Sequence, residues 1–272
     1  PCHGGLIMDL LTVTSTQWDT WIAQFFLPLA RILSVLATAP VLGQSPAPVQ
    51  VRIGLGLALT MVIAPVLPPT HPSVSLVSLE GVMLLLEQIG IGLILGFCLN
   101  VVFAAVTMAG DMMGLQMGLG FASFYDPTHA TFRPLVGQFL TVLFTLIFLS
   151  MEGHLLVIEA LADSFQQIPL DPALQFHAQG WQVGLIWAGA LFVDALRLSL
   201  PVLAALLVTN LGLGVLTRAA PQLNLFAVGF PLTLAVGFIV LDFSLPVLPV
   251  LAERMIRDSI EMGLRMTTGL LH

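Results

Sequence analysis

Ionisable side chains lie inside or beside apolar stretches of this chain: Arg31, Glu80, Glu87, Glu152, His154, Glu159, Asp194, Arg197 and Asp242. Such groups are costly to hold in apolar surroundings, so they mark candidate pathways for protons or ions, and a proton relay is the first chemistry they suggest. A structural role competes with it. Asp194 and Arg197 stand three residues apart, on one face of a helix, where each neutralises the other. Glu152, His154 and Glu159 fall near the end of an apolar run, where water is close. Bond-making chemistry has no comparable signal. A phosphate-binding Walker loop, the HExxH zinc pattern and a nucleophile-elbow serine are all absent. The six histidines are scattered, and Cys2 and Cys98 lack metal-type spacing. No cofactor, no metal and no catalytic residue are expected.

A second constellation is apolar. Between Gly110 and Asp126, glycines recur at 110, 114 and 118, with Gly120 following. Met112, Met113 and Met117 interleave with Leu115, Gln116, Leu119, Phe121 and Phe124. Each glycine weakens a helix by about 1 kcal/mol relative to alanine. Methionine is unbranched and polarizable and repacks around whatever it touches. An apolar, conformationally loose loop suits a seal that closes against ions and yields to a passing chain. The alternative is a helical packing face with small residues at its interface.

The elements that carry these residues are apolar helices. Of 272 residues, 57% are hydrophobic and 8% charged, against about 25% charged in a soluble domain. The solvent for such a chain is lipid or the interior of an apolar assembly. No lysine occurs, the net charge is -7, and no basic run exists. Nucleic acid and a polybasic membrane-surface role are therefore excluded as partners. No basic region precedes a short apolar core, so no cleavable signal peptide is expected.

Turn-forming clusters divide the chain into six apolar segments: about Trp18–Ala39, Val49–Leu67, Leu76–Met108, Pro134–Phe165, Trp181–Leu216 and Phe226–Leu251. A polar amphipathic tail, Glu253–His272, follows. The third and fourth segments exceed 30 residues, or roughly 45–50 Å as straight helices, where a hydrocarbon core needs about 20 residues. The Gly90/Gly92 and Gly212/Gly214 pairs read as close helix packing, with Gly92 and Gly96 a small-xxx-small pair. With six spans the arginines near 52, 133 and 218 oppose those at 254, 257 and 265, so charge assigns no orientation.

Several blocks resemble the flagellar biosynthetic protein R family, FliR, whose injectisome relatives are the T-type export proteins. They are Ala30-Arg31 through Ala39-Pro40-Val41, Pro48-Val49-Gln50-Val51-Arg52, and Gly114 through Ala122 with Asp126-Pro127. Further on stand Glu152-Gly153-His154-Leu155, Arg218 through Asn224, and Val228-Gly229-Phe230-Pro231-Leu232. The likeness runs over nearly the whole chain, Pro1–Ile7 excepted.

The resemblance implies an all-α membrane protein of about six long, kinked apolar helices with a re-entrant-like mid-chain plug loop. It implies a P-like portion at about residues 1–176 and a Q-like portion at about 177–272. The expected partners are the P-type and Q-type subunits FliP and FliQ, the B-type switch protein FlhB, and unfolded flagellar substrates, in a helical export gate of the inner membrane and flagellar basal body. The expected plug residues are Met112, Met113, Gly114, Leu115, Gln116, Met117, Gly118, Leu119, Gly120, Phe121 and Phe124. A proton-coupled secondary transporter using Glu152, His154 and Asp194 is the alternative.

Overall fold

Where no water is at hand, a backbone satisfies its N–H and C=O groups within the segment itself, so apolar runs become helices. The computed structural model describes residues 15–43, 48–67, 78–120, 134–170, 179–220 and 225–271, and no strand occurs among them. The helices are α1 (Ser15–Thr38), the single turn α2 (Pro40–Gly43), α3 (Val49–Ile63) and α4 (Leu79–Gln116). They continue as α5 (Leu135–Ser150), α6 (Gly153–Gln167), α7 (Gln179–Ala219), α8 (Leu225–Ser244) and α9 (Leu248–Leu271). Val49–Val66, Leu79–Gln116, Gln182–Ala219 and Ala227–Gly269 are long and apolar enough to cross a membrane, and the α5–α6 pair makes a fifth candidate. The class is that of an all-α, multi-pass membrane protein.

Three boundaries differ from those expected from sequence. The fourth apolar segment is not one long helix but two, bent by 68°. Glu152 takes a left-handed φ of 57°, which stops α5, and the next residue presses against Phe148. A Cβ on Gly153 would lie 2.5 Å from the Phe148 ring, so only glycine lets α6 start at that angle. The third segment runs on to Gln116, eight residues past Met108. The amphipathic tail is not separate: it forms most of α9, joined to α8 through a 3₁₀ turn at Leu245–Val247.

The chain forms two compact units. One comprises Pro1–Cys98, Val157–Val183 and Ile260–His272; the other comprises Leu99–Leu156 and Gly184–Ser259. In the first, α1 lies against α4 through small residues. A Cβ on Gly92 would collide with the Ser34 hydroxyl and the Arg31 carbonyl, and one on Gly96 with Thr38. The small-xxx-small pair therefore packs two backbones at close range. Gly56 does the same for α3, against Leu33 and Leu36. Gly90, Gly212 and Gly214 differ: nothing stands within 4 Å of a Cβ at any of them. Their apolar context suggested close packing, but each is on a face with no neighbour.

The core of the first unit contains a fully buried arginine. Arg31 donates from Nε and Nη2 to Gln88 Oε1 at 2.8 and 2.5 Å. Its Nη1 donates to the Ser164 carbonyl at 2.9 Å and to Ser164 Oγ at 3.2 Å. Nη2 also donates to the Ile168 carbonyl at 3.1 Å. The guanidinium stacks 4.2 Å from the Phe165 ring centre. Ser164 lies in the last turn of α6, where cations are favoured, and its carbonyl also accepts the Ile168 N–H at 3.0 Å. One side chain thus ties α1 to α4 and to the end of α6.

In the second unit the C-terminal half of α4 packs against α5. Phe103 meets Phe144 and Phe148 edge-on at 4.9 and 5.8 Å, and the Thr107 and Thr141 hydroxyls are 2.8 Å apart. A Cβ on Gly110 would stand 2.5 Å from Gly137 Cα. The stretch that α4 supplies is 61% buried, against 22% for α7 and 17% for α8–α9. α4 therefore carries core on most sides, while α7 and α8 turn apolar faces outward. Leu185, Ile186, Val215 and Phe243 are each more than 70% exposed, and lipid or partner subunits must cover such a face.

Candidate functional site

The site starts from the end of α4. Helical geometry sets residues 113 and 117 on one face and 115 and 116 away from it. Met113 and Met117 are 1% and 0% exposed, whereas Leu115 is 57% exposed and Gln116 is also outward. The Met117 N–H still reaches the Met113 carbonyl at 2.9 Å, and the Gly118 N–H reaches Leu115 at 3.1 Å. That tightening, with Gly118 at φ 88°, is how a helix ends in the left-handed conformation that glycine adopts without strain. Leu119 and Gly120 follow as a further turn. Phe121 and Phe124 lie outside the described residues.

Three helices of the same unit hold the segment. A Cβ on Gly237 of α8 would stand 2.5 Å from Met117 Cε and 2.7 Å from its Cγ, so the methionine fills the hollow that glycine leaves. Thr233 Oγ1 donates to the Met117 carbonyl at 3.2 Å, supplying a partner to one of the helix's terminal acceptors. Ser199 Oγ of α7 is 3.9 Å from Met112 Sδ. On the α5 side, Gly114 faces Val136, with 3.4 Å left for a Cβ.

The expected plug residues therefore divide. Met112, Met113, Gly114 and Met117 face packed neighbours, and Leu115 and Gln116 point away from them. The sequence treated the methionines as one loose apolar lining. It lacked the helix that continues through Gln116 and rotates them inward.

Asp194 and Arg197 approach as their spacing suggested, with Nη1 3.6 Å from Oδ1. The arginine side chain is 72% exposed and the aspartate 21%. Within this chain alone the pair is a surface one, worth about 0–1 kcal/mol. Its effect should grow where lipid or a partner covers α7. Replacing Asp194 by Asn or Arg197 by Gln singly is expected to lower the amount of assembled complex more than the double replacement does. Quantifying complex in solubilised membranes measures this, and a double replacement as damaging as the worse single one would refute it.

The remaining ionisable candidates are dispersed. Glu80, Glu152, Glu159 and Asp242 are exposed, and His154 is half-buried with a buried Nδ1 that has no hydrogen-bond partner. Among the described residues no three His, Cys, Asp or Glu side chains are grouped so as to hold a metal. Two features escaped the sequence reading. Arg31 was noted, but Gln88, Ser164 and Ile168 were not connected to it. Asp111 lies against Gly137, and its buried Oδ1 has no partner. The available signal was a carboxylate directly beside a glycine in an apolar helix.

Residues 22–259 match the bacterial export proteins, family 1. The chain is 43% identical over 256 residues to the flagellar biosynthetic protein FliR of Pectobacterium carotovorum subsp. carotovorum, covering 92% of this chain and 95% of the relative. It is 40% identical over 251 residues to FliR of Escherichia coli strain K12, with 92% and 94% covered. FliR of Bacillus subtilis strain 168 is 34% identical over 239 residues, with 87% and 92% covered. The chain belongs to the FliR family of bacterial export proteins. A FliR-family chain is a component of flagellar biosynthesis and export, and its apolar helices make it multi-pass. Membership of an export family does not favour the carrier reading of Glu152, His154 and Asp194, and gives no support to an enzyme.

Proposed function

We propose that this chain joins the P-type and Q-type subunits, FliP and FliQ, to form the channel through which unfolded flagellar proteins leave the cell. The segment Met112–Phe124 closes that channel at rest. What supports this is the anchored end of α4: Met113 and Met117 are buried, Gly114 meets α5, Met112 meets α7 and Met117 meets α8, while Leu115 projects outward just before a glycine-terminated turn. A closure built this way has a rigid root and an apolar, glycine-rich tip. Apolar constrictions gate by dewetting and bind no particular substrate sequence. Gly118 and Gly120 let the tip move without straining the root.

The chain performs no bond chemistry in this reading, and energy comes from partners and the proton gradient. The P-like portion is about residues 1–176 and the Q-like portion about 177–272. The site of action is the bacterial inner membrane within the flagellar basal body, with the C-terminal helix near the FlhB switch protein. The outward apolar faces of α3, α7 and α8 are the surfaces that neighbours cover.

Co-expression tests the assembly. Alone in detergent, the chain is expected to be heterogeneous, and with FliP and FliQ to yield one defined particle on size-exclusion chromatography. A monodisperse, well-ordered monomer would count against the reading.

A further inference from the structure

Among its described residues α8 buries Gly229, Thr233, Gly237 and Leu241. They are spaced four apart, so they form one narrow stripe along the helix. Three of the four are small, and the side chain that fills the contact at Gly237 comes from α4: Met117, 0% exposed, lies over the glycine. The Thr233 hydroxyl meets the carbonyl of the same methionine. On the opposite face Leu232, Ile239 and Phe243 are 41%, 56% and 76% exposed. We infer that α8 sets the seal: a subunit pressed on its outward face keeps Met117 seated, and release of that face unseats the methionine and opens the tip. The inference rests on the two readings above, that Met112–Phe124 closes the channel and that neighbouring subunits cover α8.

The two sides of the root differ in how they part. Toward α5, a Cβ on Gly110 would stand 2.5 Å from Gly137 Cα, and Phe103 rests edge-on against Phe144 and Phe148. Backbones this close, with rings packed beside them, separate only as a whole seam. Toward α8, the contact is one unbranched side chain in a hollow, and methionine repacks readily. The hydrogen bond there is exchangeable too. Thr233 Oγ1 is 3.2 Å from the Met117 carbonyl and 3.0 Å from the Phe230 carbonyl of its own helix. A hydroxyl has a single proton to donate, so a shift of α8 leaves it a partner and strands no buried donor. Elements with few buried contacts open first, and α8 is such an element.

Displacement at this contact reaches the tip directly. Met117 stands immediately before Gly118, whose φ of 88° starts the turn that leads away from α4, and two positions after the outward Leu115. Moving its backbone moves the origin of the tip. Coupling of this kind is reciprocal. Cover on α8 favours the seated methionine, and the seated methionine holds α8 in place to be covered.

The test uses the full chain with its accompanying export subunits in planar bilayers, with conductance compared at equal amounts of assembled complex. Ile239→Ala with Phe243→Ala trims the outward face of α8 without touching the root. It should raise resting conductance about tenfold, the change that about 1.4 kcal/mol makes in a closed–open balance. Val142→Ala with Leu146→Ala, which trims side chains 52% and 58% exposed on α5, should not. Met117→Cys with Gly237→Cys places two thiols where the methionine already meets the glycine, within the reach of a disulfide. Its oxidation should return the α8-trimmed complex to wild-type tightness until the bond is reduced. Gly237→Ala, which unseats Met117 from within, should leak as the trimmed face does. A tight α8-trimmed complex, a leak that survives the disulfide, a tight Gly237→Ala or an equal leak from the α5 pair overturns the inference. Deleting residues 118–126 separates the two levels. If that deletion leaks and α8 trimming does not, the coupling alone is lost; if the deletion is tight, the seal reading falls and the inference with it.

Discussion

Replacing Arg31 with methionine is expected to destabilise the chain by about 3–5 kcal/mol, the usual cost of removing one member of a buried, hydrogen-bonded charged cluster. The methylene stem would be replaced, but Gln88 Oε1, Ser164 Oγ and the carbonyls of Ser164 and Ile168 would lose their donor. The Ser164 carbonyl would keep the Ile168 N–H, but each buried acceptor left alone costs about 1–3 kcal/mol. Lysine is not a conservative substitute. Its three donors radiate from a point, so it cannot serve Gln88 and the Ser164 and Ile168 carbonyls together or lie flat on Phe165. Arg31→Lys and Arg31→Met should both lower thermal stability and the yield of assembled complex, and Lys should recover only a minor part. Wild-type yield in Arg31→Met would show that the cluster contributes nothing net, as happens when an ionic network and a well-packed apolar one are equivalent.

Opposite outcomes are expected from two neighbours at the end of α4. Met117, 0% exposed against Gly237, is part of the root. Met117→Ala should cost about 2–5 kcal/mol through the cavity it opens, seen as less assembled particle. Leu115, 57% exposed, is part of the tip. Leu115→Asp should leave assembly intact and raise resting ion conductance, because a carboxylate at an apolar constriction recruits water. Deleting residues 118–126 should leak more than Leu115→Asp does, since the glycine-rich part of the tip is gone and the root is spared. Conductance across membranes carrying equal amounts of assembled complex makes the comparison. A deletion variant as tight as wild type would make this segment a packing element and not a seal.

The two experiments separate assembly from gating because the residues differ in surroundings and not in type. Met113, Leu115 and Met117 are all apolar and lie within five positions of one another. What distinguishes them is that the helix turns 113 and 117 inward, Met117 against α8, and leaves 115 outward. The same holds for the glycines of the chain. Gly92 and Gly96 admit α1 at backbone range, while Gly212 and Gly214, in an equally apolar setting, meet nothing.

The solvent and the secondary structure were legible in the residues alone. A chain 57% hydrophobic and 8% charged must satisfy its backbone internally, and helices are the local way to do so. Local turn chemistry likewise placed the start of α3 at about Val49 and that of the fourth segment at about Pro134, one residue before α5 begins. Family-like motifs carried the assignment to flagellar export. The inward turn of the methionines at the end of α4 was not legible, because it depends on neighbours brought up by folding, Gly237 and Thr233; the bend at Glu152 is set locally, by its left-handed φ and by Gly153 against Phe148, and was missed because the apolar pattern runs through it. Arg31 is the clearest case. In sequence it is one charge in an apolar helix, the pattern of a proton or ion pathway. Its hydrogen-bond partners lie 57, 133 and 137 residues away, and only their convergence makes it a structural tie. Periodicity reports the direction a side chain takes from its own helix, whereas the group it meets there is fixed by the packing of the others.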